Sequence, residues 1–141
     1  MLAVTLINTL VVIIAVVIHY ECLLRLNSWL PQLGVWNRFK MVVGVLGALF
    51  AHAIEVWCFA LTYYLMTRDG EWGSLIGRFD GSFMDCVYFS FITYTTIGFG
   101  DITPVGNLKF LTGLQALTGL VLITWTASFL FLEMQKYWKN N

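Results

Sequence analysis

The sequence predicts an all-α membrane protein, with three transmembrane helices per chain and a short re-entrant helix between the second and the third. Composition comes first: of 141 residues, 59% are hydrophobic and 11% charged, against about 25% charged in an ordinary soluble domain. Three apolar runs are long enough to cross a hydrocarbon core. A fourth, of about twelve residues, is too short to cross and leads into a run where glycine alternates with larger residues. The formal net charge is zero and no basic stripe occurs, so no nucleic-acid partner is expected. Cys22, Cys58 and Cys86 are scattered in different segments, which argues against a disulfide framework.

Leu2 to Ile18 is an almost unbroken apolar run at the lower limit for spanning. No Lys or Arg precedes it and no small-residue cleavage pattern follows, so an uncleaved membrane helix is favoured over a signal peptide. Helical spacing continues through Leu23, Leu24 and Leu26, and Pro31 should stop the helix after about Ser28. From Trp29 to Lys40 the chain is an interfacial connector: tryptophans suit the headgroup layer, and Arg25, Arg38 and Lys40 mark a cytoplasmic side. This gives two segments, 1–40 for the N-terminal helix with its connector and 41–141 for the remainder.

Met41 to Met66 forms the second span, interrupted only by His52 and Glu55. Thr67 to Ser82 is expected to be a polar extracytoplasmic loop. Phe83 to Tyr94 is the re-entrant helix, with Ser82 and Asp85 spaced as a capping box. Its dipole places partial negative charge at its C-terminal end, where Thr95-Thr96-Ile97-Gly98-Phe99-Gly100-Asp101 follows. Asn107 to Tyr137 is the last span, longer than a bilayer is thick and therefore tilted or protruding. Lys136 and Lys139 at its end again mark the cytoplasmic side.

Aiming successive carbonyls at one axis requires alternating left- and right-handed backbone, which glycine adopts cheaply. Gly98 and Gly100 have that spacing, and the resulting oxygens suit a hard cation. The run Thr96-Ile97-Gly98-Phe99-Gly100 resembles the potassium-channel filter signature Thr-Val-Gly-Tyr-Gly, position for position with two conservative changes. Tyr88 through Asp101 is most similar to the pore loops of two-pore-domain potassium channels and small bacterial relatives. From Met41 onward, the order of outer helix, pore helix, filter and inner helix follows that family's pore module.

The resemblance implies a passive potassium-selective channel, not an enzyme, with Thr96, Ile97, Gly98 and Phe99 offering ion-binding carbonyls and Asp101 at the outer mouth. A single pore loop per chain implies a homotetramer, since four loops build the family's filter. The implied partners are potassium ions and membrane lipid, with no cofactor beyond the permeant ion. The implied location is a cell membrane, of the bacterial inner-membrane kind; Arg25, Arg38, Lys40, Lys136 and Lys139, all on the side opposite the pore loop, put the N-terminus outside and the C-terminus in the cytoplasm. Tyr88 and Phe89 stand where many members carry paired tryptophans, and Ile92 where some carry glutamate, which puts the usual bracing of the filter in question. No arginine series suggests a voltage sensor, and little chain follows Lys136 to form a cytoplasmic ligand domain.

The remaining residues have weaker signals. His52 and Glu55 lie three apart within the second span, where ionisable groups are costly. They read either as a brace behind the re-entrant helix or as a proton-linked modulator: burial disfavours a charged Glu55, so a neutral carboxyl donating a hydrogen bond would make conduction fall as pH rises. Counting on from Gly100 as in the family places Val121, Thr124 and Ser128 toward a water-filled cavity, although the two hydroxyls could instead bond to their own helix. Gly113 and Gly119 read as packing positions more than as hinges. Asp101 is expected to concentrate cations and to accept from an aromatic of the re-entrant helix or pair with Lys109. Two alternatives compete with the main reading: a weakly selective cation channel, and a haem- or quinone-binding anchor using His19 and His52.

Overall fold

The computed structural model describes residues 2–138. Three long helices dominate it: α1 (Leu2–Trp29), α2 (Asn37–Asp69) and α4 (Leu108–Trp138), each long and apolar enough to cross a membrane. Helix α1 passes into a 3-10 turn, Leu30–Gln32, whose second residue is Pro31, as the missing proline N–H permits. The short helix α3 (Phe83–Tyr94) sits between α2 and α4. The basic end assigned to Lys136 and Lys139 is described only as far as Trp138, so Lys139 lies outside the described residues.

Buried positions show how α1 is held. Val4, Asn8, Val11, Ala15, His19 and Leu23 recur every three or four residues, one stripe facing the other helices. Much of the remaining surface of α1, including Leu6, Leu10, Ile13 and Val17, is apolar and exposed, as expected of a helix in lipid, while exposed Glu21 and Arg25 lie toward its C-terminal end. The N-terminal segment is therefore packed onto the segment that follows it. At the centre, Phe59 and Tyr63 of α2 pack against Phe89 of α3, the Tyr63 and Phe89 rings meeting edge to face at 5.0 Å.

The stretch Thr67 to Ser82 corrects the sequence expectation of a plain polar loop. Helix α2 continues to Asp69, and Gly73–Gly77 forms a strand, β1, antiparallel to β2 (Ile102–Gly106). Gly73 pairs with Gly106 and Gly77 with Ile102. The backbones approach so closely that a Cβ on Gly73 would lie 2.2 Å from the Val105 carbonyl oxygen. Each strand has only five residues and its partner lies far along the chain, so neither carries a local pattern that predicts pairing. This ribbon ties the segment before α3 to the segment after the glycine-alternating loop, with a further hydrogen bond from Arg78 N to the Asp101 carbonyl at 2.9 Å.

Candidate functional site: the loop after α3 and the polar contacts behind it

Helix α3 starts at Ser82, whose hydroxyl accepts from the Asp85 N–H at 3.1 Å. Only this half of the expected capping box forms. Asp85 instead accepts from Asp80 N at 2.8 Å, and the Ser82 N–H is taken by Asp80 at 2.7 Å. Bonds from the Ser82 hydroxyl and N–H hold the Asp80 carboxyl below its ordinary pKa.

At the other end, α3 is bound directly to the loop it feeds. Thr95 N donates to Phe91 O at 3.0 Å, Thr96 N to Thr93 O at 3.0 Å, and Gly98 N to Ile92 O at 3.0 Å. The backbone then alternates: Thr96, Gly98 and Gly100 have φ of +58°, +53° and +78°, with no positive φ at Ile97 or Phe99. Thr96 departs from the sequence expectation, which assigned left-handed backbone to the glycines. A β-branched residue in that region is strained and persists only where its surroundings hold it. A Cβ on Gly98 or Gly100 would meet nothing within 4 Å, so backbone conformation rather than space demands glycine there. Thr96 through Gly100 are all exposed in the single chain, with Ile97 and Phe99 58% and 67% accessible.

Asp101 is anchored by α3. The Tyr88 hydroxyl donates to its Oδ2 at 2.8 Å, so an aromatic of α3 supplies the hydrogen bond expected at Asp101. No ion pair between Asp101 and Lys109 occurs among the described residues.

Two buried polar networks lie behind α3. In the first, the Tyr63 hydroxyl donates to Gln115 Oε1 at 2.8 Å, Gln115 Nε2 donates to Ser90 Oγ at 2.6 Å, and the Ser90 hydroxyl donates to the Val56 carbonyl at 2.7 Å. All three side chains are fully buried. In the second, Glu55 is surrounded by His19 Nδ1 at 2.9 Å, His52 Nδ1 at 3.1 Å and the Tyr94 hydroxyl. Both histidine Nε2 atoms face the Thr126 hydroxyl, His52 at 3.0 Å and His19 at 3.3 Å.

The sequence expectation had Glu55 donating to the α3 region; here the Tyr94 hydroxyl donates to Glu55. His19, weighed from the sequence only as a haem ligand, is the other main partner of Glu55. The His19 and His52 rings pack with centroids 5.2 Å apart and share one carboxylate. Tyr94, Thr126, Ser90 and Gln115 were not singled out. Their one signal was polarity within apolar helices, which cannot reveal partners dozens of residues away.

On α4, Thr124 bonds to the Leu120 and Val121 carbonyls at 3.0 and 2.8 Å, and Ser128 to the Thr124 carbonyl at 3.1 Å. Val121, Thr124 and Ser128 are all exposed in the single chain. Gly119 is a packing position: a Cβ there would stand 2.1 Å from the Tyr94 carbonyl oxygen. Gly113 has nothing within 4 Å of such an atom.

Two membrane-crossing helices thus flank a short helix whose C-terminus opens into backbone of alternating hand. Residues 51–136 match the model of a family described as ion channel. The chain belongs to this ion-channel family. Comparison with curated proteins and with solved structures gave no match. The family match covers most of α2, α3, the loop and nearly all of α4, while α1 falls outside it. Ion-channel membership and three apolar helices make this a multi-pass membrane protein.

Proposed function

We propose that the chain assembles as a homotetramer and conducts potassium passively and selectively through a filter formed by four copies of Thr96–Gly100. The observation that carries this reading is the alternating backbone at Thr96, Gly98 and Gly100, which supports a column of carbonyls from Thr96, Ile97, Gly98 and Phe99 facing one axis. Helix α3 directs its partial negative charge toward that axis. The exposure of Ile97 and Phe99 in the single chain supports burial against neighbouring copies. Asp101 adds negative charge at the outer mouth, and Val121, Thr124 and Ser128 line the cavity below the filter. The N-terminus lies outside and the C-terminus inside, because Arg25, Arg38, Lys40 and Lys136 cluster opposite the β1–β2 end.

The test is flux from liposomes under matched potassium and sodium gradients. Potassium flux is expected to exceed sodium flux strongly, and Gly98→Ala to abolish it, since alanine is strained at φ +53°. Comparable sodium flux would favour a weakly selective cation channel, and wild-type selective flux through Gly98→Ala would remove the filter assignment.

A further inference from the structure

The densest cluster of metal-ligating side chains among the described residues lies away from the loop, where α1 meets the ion-channel module. His19, His52 and Glu55 each bring one ligand atom to within 4.8 Å of the others. We propose that His19 Nδ1, His52 Nδ1 and the Glu55 carboxylate, joined by the Tyr94 hydroxyl, bind a divalent transition-metal ion of the zinc type that clamps α1 to α2 and α3.

The donor set selects the class of ion. Two imidazoles with carboxylate and phenol oxygens suit zinc, nickel or copper, whereas calcium and magnesium prefer oxygen-only shells. Tetrahedral zinc, with bonds of about 2.0–2.1 Å, holds neighbouring ligand atoms roughly 3.3 Å apart. His19 Nδ1 lies 2.9 Å from one Glu55 oxygen and His52 Nδ1 3.1 Å from the other, with the Tyr94 hydroxyl 2.9 Å from His52 Nδ1. Hydrogen bonds therefore bring His19 to Glu55, His52 to Glu55 and His52 to Tyr94 at near-coordination spacing, while the ligand atoms of His19, His52 and Glu55 lie within 4.8 Å of one another, so that binding draws the two imidazoles together around one carboxylate oxygen. Four protein donors fill a tetrahedral shell, the mark of a structural rather than a catalytic site.

The surroundings of the rings point the same way. A metal on both Nδ1 atoms obliges each imidazole to carry its proton on Nε2. Both Nε2 atoms face one acceptor, Thr126 Oγ1, at 3.0 and 3.3 Å, and a hydroxyl oxygen has two lone pairs to receive them. Outer partners of this kind fix the ring orientation of metal-bound histidines. Without a metal, the single Thr126 proton cannot serve two unprotonated Nε2 atoms at once. Burial is near complete, with His19 and Glu55 inaccessible and the His52 side chain 15% exposed. Glu55 supplies a negative charge to the ion in this low-dielectric layer, and Tyr94 offers its hydroxyl oxygen.

Tyr94 is the last residue of α3, immediately before the loop. An ion here would couple α1, which lies outside the family match, to the base of the proposed filter.

The experiment uses the full chain purified in detergent, stripped with a chelator and titrated with cobalt(II), a coloured stand-in for zinc. One cobalt per chain is expected, with the intense visible bands of a tetrahedral site, displaced by zinc, and zinc is expected to raise the unfolding temperature. His19→Gln should lose the tetrahedral spectrum. Thr126→Val keeps every ligand and should weaken binding about 10–100-fold, which carries the test if His19→Gln does not fold. A colourless titration with no thermal shift, or the wild-type spectrum retained in His19→Gln, would overturn the site and leave the cluster as a hydrogen-bonded brace.

Discussion

Two buried polar networks support α3, and they differ in kind. The network of Tyr63, Gln115 and Ser90 is neutral, joins only α2, α3 and α4, and ends on a backbone carbonyl. The network of His19, His52, Glu55, Tyr94 and Thr126 contains a carboxyl and two imidazoles, and it alone recruits α1. The neutral network meets the middle of α3 at Ser90, the ionisable one its last residue, Tyr94. A neutral set tolerates loss of one member at the cost of an unmade hydrogen bond, whereas removing the carboxyl from the other leaves two imidazoles and a phenol facing each other in a dry interior.

That contrast can be broken by mutation. Glu55→Ala should have the largest effect on folding, about 3–5 kcal/mol, by removing the shared partner of His19, His52 and Tyr94. Gln115→Leu should cost less, about 1–3 kcal/mol, because it removes the main acceptor of the Tyr63 hydroxyl and a donor to Ser90, whose hydroxyl keeps its bond to the Val56 carbonyl, without stranding an ionisable group. Thermal or denaturant unfolding of the purified variants measures both, and a larger loss from Gln115→Leu would invert the ranking and the distinction with it. Tyr63→Phe removes one donor and keeps the edge-to-face contact with Phe89, so about 1 kcal/mol is expected in the same assay.

The topology underlying both networks is open to a direct check. A cysteine at Glu71, in the connection before β1, should react with an impermeant thiol reagent in intact cells, and one at Gly34, between α1 and α2, should not. Reaction at position 34 alone would reverse the orientation.

The smallest effect concerns the start of α3. Asp80 has a lowered pKa because Ser82 hydrogen-bonds to its ionised form. Its contribution is complete above the unfolded value of about 3.9 and is lost as pH falls through the lowered folded value. Asp80→Asn should therefore flatten a small acid-induced loss of stability below about pH 4, and an unchanged acid limb would show that this bond contributes nothing.

Local sequence determined more of the molecule than its modest length suggests. Three spans, the short helix and the glycine-alternating loop were legible because each depends on hydrophobic period, length or backbone freedom within a few neighbouring residues. Pro31 placed the end of α1 within a residue or two, and Ser82 placed the start of α3. Some local features still escaped: Thr96 takes a left-handed conformation that its residue type disfavours, because bonds from Thr96 and Gly98 to the end of α3 impose it. The β1–β2 ribbon, the choice of Tyr88 as the aromatic that bonds the expected acceptor Asp101, and the meeting of His19 with Glu55 and Thr126 were decided only in three dimensions. In each case the partners are separated by between 13 and 107 residues or by a whole helix, as His19 is from Thr126 and Tyr88 from Asp101. Polarity inside an apolar helix announces that a partner is required, because an unpaired polar group there is costly. Which partner answers depends on how the helices pack, and a single helix does not contain that information.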